Sequence, residues 1–176
     1  PKFRRVNVGT VDNTPAQFNT LFQVGDVDGD GRPDLIVGGR DGRFVCLRNP
    51  GGDEHWEPQT LADVQHQECG GQLADVTGNC LNDLINGGDF RSGKLCWWEN
   101  PGTPYEPWNQ RTIYESAHEQ IHDVLVADLF GDGRRFVLFT NQGNGSMGMV
   151  PVPSNPRRQP WPDVEIVATD FRERGQ

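Results

Sequence analysis

Asp26-Val-Asp-Gly-Asp-Gly-Arg-Pro-Asp34, followed at once by Leu35-Ile-Val-Gly-Gly39, is the most informative stretch of the chain. Four carboxylates stand at positions 1, 3, 5 and 9 of a nine-residue loop, and packed together without a counter-charge they would force it open. Alternate side chains plus the Arg32 carbonyl at position 7 supply the oxygen-only, high-coordination shell that calcium takes, and Gly29 and Gly31 permit the tight backbone path. Magnesium prefers octahedral geometry with retained water and suits the loop less. The first six residues also fit a helix–loop–helix calcium loop. There, however, position 12 should be a bidentate glutamate, whereas here it is Val37, and a β-type apolar run follows in place of a helix.

The loop recurs. Asp75-Val-Thr-Gly-Asn-Cys-Leu-Asn-Asp83 precedes Leu-Ile-Asn-Gly-Gly, and a weaker copy, Asp128-Leu-Phe-Gly-Asp-Gly-Arg-Arg-Phe136, precedes Val-Leu-Phe. The first aspartates lie 49 and then 53 residues apart, while Trp56, Trp108 and Trp161 are spaced by 52 and 53. Asn49-Pro50-Gly51, Asn100-Pro101-Gly102 and the looser Asn155-Pro156 fall between them. These markers define a unit of about 52 residues that reads as four short strands, A to D, separated by turn signals. In the second unit strand A is expected near Gly71 to Asp75, B near Asp83 to Asn86, C near Lys94 to Glu99 and D near Trp108 to Tyr114. Strand A of the third unit, Val124-Leu-Val-Ala-Asp128, is nearly all apolar, as a strand buried on both faces should be.

A four-stranded unit at this period predicts the blades of a β-propeller, and the 22 glycines and 13 prolines in 176 residues exclude helical repeats. The expected fold is all-β, with three four-stranded blades and one leading strand. Residues 1–17 form a leading strand D and connector, 18–66 blade 1, 67–118 blade 2, and 119–176 blade 3 with a connector. Phe3-Arg-Arg-Val-Asn-Val8 resembles a lone strand D. Three blades alone would leave two raw apolar faces. The chain is therefore expected to be a segment of a six- to eight-bladed ring, completed by further sequence, a companion chain or an oligomer.

Composition narrows the partners. With 16 Lys+Arg against 25 Asp+Glu the formal charge is −9, so the basic surface needed to release counterions from a nucleic-acid backbone is missing. No window approaches the roughly 18 consecutive apolar residues of a membrane helix, so no membrane span is expected. The basic residues are 14 Arg to 2 Lys, a bias suited to planar, multi-donor contacts with carboxylates or sugars. There is no charged and apolar leader, so any export signal is expected to lie outside these residues. Cys46, Cys69, Cys80 and Cys96 make no CxxC or zinc-knuckle spacing and are expected to be packing residues. Cys46 and Cys96 occupy equivalent strand C positions, too far apart for a bridge, and should be free, buried thiols.

The ligand count ranks the loops. Asp26, Asp28, Asp30, Arg32 (by its carbonyl) and Asp34 form the fullest set, while Asp75, Thr77, Asn79, Leu81 (by its carbonyl) and Asp83 form a weaker one. In the third loop Phe130 and Phe136 replace positions 3 and 9, leaving Asp128 and Asp132, and no metal is expected. The cofactor expected is Ca2+.

The Asp26–Gly38 word resembles the FG-GAP, or VCBS, repeat of calcium-binding β-propellers, and the likeness runs through nearly the whole chain. Proteins with similar repeats include the integrin α-subunit head, fungal and bacterial lectins, and propeller-based polysaccharide lyases. Trp97-Trp98-Glu99-Asn100-Pro101-Gly102 followed by Trp108, with His122-Asp123 opening a strand A, is similar to the carbohydrate-active bacterial and fungal branch.

In a four-stranded meander the A–B and C–D connections share one face and the B–C and D–A connections the other. The second face should collect Arg40, Asp41, Asp89, Arg91, Asn141 and Gln142 with Asp63, His66, Glu68, His118 and Glu119. Arg40, Arg91, His66 and His118 are candidate ligand contacts. His122 opens an innermost strand, where a general base or sugar-binding group would stand. Neighbours on a strand face opposite ways, so Trp98 is a candidate platform for a ligand, whereas the recurring Trp56, Trp108 and Trp161 mark blade packing. The function expected is a calcium-stabilised scaffold binding a glycan or an extracellular protein on the face away from the metals. The alternative is the propeller of a polysaccharide lyase or related carbohydrate-active enzyme with His122 near its active site. Weak calcium sites fill only at millimolar levels, which points to a secreted, extracellular or periplasmic setting.

Overall fold

The computed structural model describes residues 2–52, 55–103, 106–116 and 120–169. His118, Glu119 and the connector 170–176 lie outside them. All regular structure among the described residues is β. Strands β1 (Asn19–Gly25), β2 (Asp34–Gly39), β3 (Arg43–Leu47) and β4 (Pro58–Asp63) pair in sequence order. So do β5 (Gln67–Ala74), β6 (Asp83–Gly88), β7 (Lys94–Glu99) and β8 (Asn109–Glu115), then β9 (Ile121–Ala127), β10 (Phe136–Asn141), β11 (Ser146–Pro151) and β12 (Glu165–Ala168). Each set is an antiparallel meander, so the chain forms three blades.

The first strands β1, β5 and β9 lie side by side at the inner edge. The Gln72 amide clasps the Val126 backbone, its Oε1 accepting from the amide N–H at 2.6 Å and its Nε2 donating to the carbonyl at 3.4 Å. Gly70 makes this approach possible, because a Cβ there would fall 1.8 Å from the His122 carbonyl oxygen.

The core sits between blades, as period-2 alternation requires when both faces of a sheet are covered. Leu21, Ile36, Phe44 and Leu61 of blade 1 meet Leu84, Cys96, Trp98 and Trp108. Ile85, Leu95, Trp97 and Ile113 meet Ile121, Val137, Phe139 and Trp161 of blade 3. Consecutive tryptophans therefore serve opposite interfaces. Trp98 is only 1% exposed and packs edge-on against Phe44, with centroids 4.8 Å apart at 83°. It is a packing residue rather than a ligand platform, because blade 1 covers the face that sequence alternation left open.

Strand β9 departs from its expected double burial. Val124 and Val126 pack against blade 2, but Leu125 is 52% exposed, since no further blade among the described residues covers its other face. Phe22 and Val24 on β1 and Ile166 on β12 are likewise exposed.

The recurring tryptophans carry a second regularity. Trp108 N–H donates to the Leu61 carbonyl at 2.8 Å and Trp161 N–H to the Ile113 carbonyl at 2.9 Å, each reaching the last strand of the preceding blade. Trp56 N–H donates to the Val8 carbonyl at 2.6 Å. Val8 thus accepts from Trp56 the bond that Leu61 and Ile113 accept from the later tryptophans. No strand forms over residues 3–8, where the sequence predicts a lone strand D.

Cys46 and Cys96 are buried free thiols. The packing role fails for the other two. Cys80 is exposed at a left-handed turn position (φ 67°), and Cys69 stands half-buried against His122.

Candidate functional site

The first loop is built from its carboxylates. Asp26 accepts backbone N–H bonds from Gly29 (2.8 Å) and Gly31 (2.9 Å), drawing the chain around it. The glycines at 29 and 31 have φ of 79° and 84°, which side chains rarely tolerate. Asp34, fully buried, accepts from Val27 N–H at 2.9 Å and from Asn49 N–H at 2.8 Å. It thereby ties the A–B loop to the C–D loop, and Asn100 N–H repeats the arrangement on Asp83 at 2.8 Å. This is the physical work of the Asn-Pro-Gly words, which sequence spacing alone did not reveal.

Carboxylate oxygens of Asp26, Asp28 and Asp34 lie within 4.8 Å of one another. Burial and the nearby Asp28 and Asp30 charges raise the Asp34 pKa. Asp83 is pushed up to about 6, again chiefly by burial. Both shifts record negative charge held where it is poorly solvated. Burial also works against the charged form of Asp28, but hydrogen bonds from Arg48 and from the Asp30 amide overcome it, so its pKa falls below the ordinary range. Asp30 pairs with Arg32. The Thr77 hydroxyl, at position 3 of the second loop, is buried without a hydrogen-bond partner. The donor set of the first loop fits a hard, oxygen-seeking cation, and the second fits it with two neutral donors.

The third loop keeps the turn and replaces two of its oxygen-bearing side chains with phenylalanine. Asp128 accepts from Gly131, Asp132 and Gly133. Phe130 and Phe136, at positions 3 and 9, meet edge to face with centroids 5.3 Å apart. The Arg134 guanidinium lies 5.9 Å from each ring and pairs with Asp132 at 2.7 Å. An aromatic pair and a side-chain cation stand where the other loops collect oxygens.

The loops also clasp one another. Asn82 Nδ2, at position 8 of the second loop, donates to the Asp26 carbonyl at 2.7 Å, and Arg135, at position 8 of the third, donates to the Asp75 carbonyl. Residues 18–44 match the FG-GAP repeat family. No curated protein sequence matches the chain. The matched segment spans β1, the first carboxylate loop and β2, so the FG-GAP repeat covers the loop with the fullest oxygen set.

On the opposite face of the sheets the B–C and D–A turns of blades 1 and 2 form one ionic network. His66 N–H donates to Asp41 Oδ1 at 2.7 Å, and Asp89 N–H donates to the His66 carbonyl at 2.7 Å. Buried Asp89 receives Arg91, and Arg40 lies 3.8 Å from it. Arg91 also reaches Asp41 at 2.7 Å, while Arg40 reaches Glu68 at 2.6 Å. The structure thus brings together Arg40, His66 and Arg91 of the expected ligand contacts, and His118 is outside the described residues. Asp41 and His66 both adopt left-handed backbone (φ 57° and 60°), a costly conformation for residues with a Cβ.

A shallow groove beside this network is lined by Pro15, Gln17, Phe18, Arg40, Asp41, Phe90 and Arg91. Phe18 and Phe90 are 71% and 60% exposed, and the Arg91 guanidinium stands 5.8 Å from the Phe90 ring centre. The two phenylalanines were not legible as site residues, because neither stands in a motif and only the fold places them beside the arginines. His122 lies apart from the groove, its Nδ1 3.1 Å from Asp123 and its Nε2 3.2 Å from the Cys69 sulfur.

Proposed function

We propose that the chain is part of a calcium-stabilised β-propeller scaffold that binds a carboxylate-bearing glycan or acidic protein segment on the face away from its metal loops. Asp26, Asp28, Asp30, the Arg32 carbonyl and Asp34 would hold one calcium ion. Asp75, Thr77, Asn79, the Leu81 carbonyl and Asp83 would hold a second, weaker one. The ion would offset the clustered charge of the loops, and through the Asn82 and Arg135 clasps it would stiffen the joints between blades. That role is structural, since the loops face away from the groove.

The observation that carries the binding role is the pairing of two arginines with two exposed phenylalanines in one open groove. The guanidinium N–H groups not already held by Asp41, Asp89 and Glu68 can donate to a ligand carboxylate, and aromatic faces cover the apolar face of a sugar ring or a peptide side chain. His122 Nε2, the nitrogen a base would use, stands against the Cys69 sulfur, which favours a scaffold over a lyase using His122 as its base. No helix among the described residues is long and apolar enough to cross a membrane, and weak calcium loops suit an extracellular or periplasmic setting.

The rest of the ring belongs to the proposal. Val8 in a strand D place and the exposed Phe22, Val24, Leu125 and Ile166 suit a six- to eight-bladed ring closed by the leading segment. The test of function is an array of neutral and uronic-acid-containing glycans and acidic peptides, probed in excess calcium with the chain and with Arg91→Ala and Phe90→Ala. Acidic ligands should be retained, and each variant should weaken binding about tenfold or more, as loss of one charge-assisted contact (Arg91) or one aromatic contact (Phe90) implies. Equal binding by all three proteins would refute the assignment of the groove, and unsaturated products from uronic-acid polymers would favour the lyase.

A further inference from the structure

Outside the loops and the groove, one cluster mixes soft and hard donors. Cys69 and His122 lie 53 residues apart, one blade period, at the same place relative to Asp75 and Asp128. Because β5 and β9 run side by side, this repeat position becomes a contact, with Cys69 Sγ 3.2 Å from His122 Nε2. The corresponding residue of β1 is Thr20, whose hydroxyl is buried without a partner. Glu68, buried, completes a set whose ligand atoms all lie within 4.8 Å of one another.

We propose that Glu68, Cys69 and His122 form a binding site for a thiophilic divalent cation of the zinc type, at the end of β5 away from the calcium loops. Thiolate, imidazole and carboxylate are the three donors zinc takes, and three protein ligands with one open position is a common arrangement. An ion bound to both atoms at ordinary lengths would set sulfur and nitrogen about 3.5 Å apart, close to the spacing observed.

The surroundings prepare each donor. His122 Nδ1 lies 3.1 Å from Asp123 Oδ2, so an N–H there donates to the carboxylate and leaves the Nε2 lone pair free for a metal. The Cys69 sulfur stands beside the ring, 3.2 Å from Nε2 and 3.8 Å from Nδ1, and would swing toward that lone pair when both hold the ion. Asp123 is itself held by its backbone N–H, which donates to Thr140 Oγ1 at 3.0 Å. Glu68 is fixed by Arg40 at 2.6 Å, by the Cys69 backbone N–H at 3.2 Å and by Gln120, and an ionised carboxylate keeps lone-pair capacity beyond those three bonds. Asn86, fully buried, donates from one amide to the Glu68 and Gly70 carbonyls, bracing the backbone on both sides of Cys69. Burial and the Glu68 charge raise the Cys69 pKa, so the free thiol is no activated nucleophile. Binding the cation would release the thiol proton to solvent, and the fourth coordination position is left to water or to a residue of the remaining blades.

The test is a titration of the chain with Co2+ in excess calcium, followed by displacement with Zn2+. The expected result is a thiolate-to-cobalt charge-transfer band in the near ultraviolet that saturates at one ion per chain and is abolished by Zn2+. Cys69→Ser should remove the band, Cys80→Ser should keep it, and Asp123→Asn should weaken the affinity about 10- to 100-fold. Asp26→Asn should leave the band unchanged, so failure of the calcium proposal and failure of this one are separable. No band in the unaltered chain, a band that survives Cys69→Ser, or an affinity untouched by Asp123→Asn would overturn the site.

Discussion

Position 6 of the carboxylate loop shows how backbone conformation limits sequence. Gly31 and Gly133 occupy it with left-handed φ, and Cys80 takes φ of 67° in the second loop. A residue with a Cβ costs about 1–2 kcal/mol there, part of which is returned by its smaller entropy in the unfolded chain. Cys80→Gly should therefore stabilise the protein by about 0.5–1 kcal/mol in denaturant titration, and no gain would mean that the loop relieves the strain elsewhere. The four carboxylates of the first loop were legible because like charges at alternate positions of a short loop repel one another unless a cation comes between them. Phe130 and Phe136 were legible only as losses. That they meet each other and Arg134 is a three-dimensional fact, since the partner of a side chain five or six residues away in a turn is set by the turn. Cys69 and His122 were missed as a pair for a related reason. Their spacing of one blade period is visible, but its meaning depends on the inner strands lying side by side.

At the level of strands and loops, Glu99 at the end of β7 couples two blades. Its carboxylate takes Arg111 of β8 at 2.6 Å and Arg157 of blade 3 at 2.6 Å. Burial works against its charge, but the hydrogen bonds from Arg157 and Arg111 prevail and hold its pKa below the usual glutamate range. A folded-state pKa below the unfolded one stabilises the protein above the unfolded value, and that stability is lost as pH falls through the folded value. Glu99→Gln should thus cost about 1–2 kcal/mol near neutral pH, allowing for the exposure of Arg157. The difference should shrink as pH drops below about 4.5. A gap that persists undiminished in acid would show that shape, not charge, holds this joint. Trp98→Ala, by contrast, should cost about 3–5 kcal/mol at any pH, because it empties the centre of an interface. Strand order was readable from the repeat, but the covering of Trp98 was not. Alternation says that neighbours face apart and says nothing of whether another sheet lies beyond.

For the whole molecule, the exposed flanks are the dominant feature. Phe22 and Val24 on one side, and Leu125 and Ile166 on the other, leave apolar surface where inner blades would pack. The chain by itself should bind a hydrophobic dye and associate as its concentration rises in sedimentation. A monomer that binds no dye would mean that three blades suffice. The number of blades in the proposed ring is not legible in the sequence, because each repeat specifies contacts with its neighbours and not the angle at which a circle would close.

The most direct test of the proposed calcium binding is the thermal unfolding midpoint of the chain with chelator and with calcium in excess. At 100 times the dissociation constant, one site adds about 2.7 kcal/mol, which for a chain of this size raises the midpoint by about 5–10 °C. That rise should vanish in the Asp26→Asn, Asp28→Asn double variant if the first loop holds the ion. A midpoint that does not respond to calcium, or responds equally in the double variant, would contradict it.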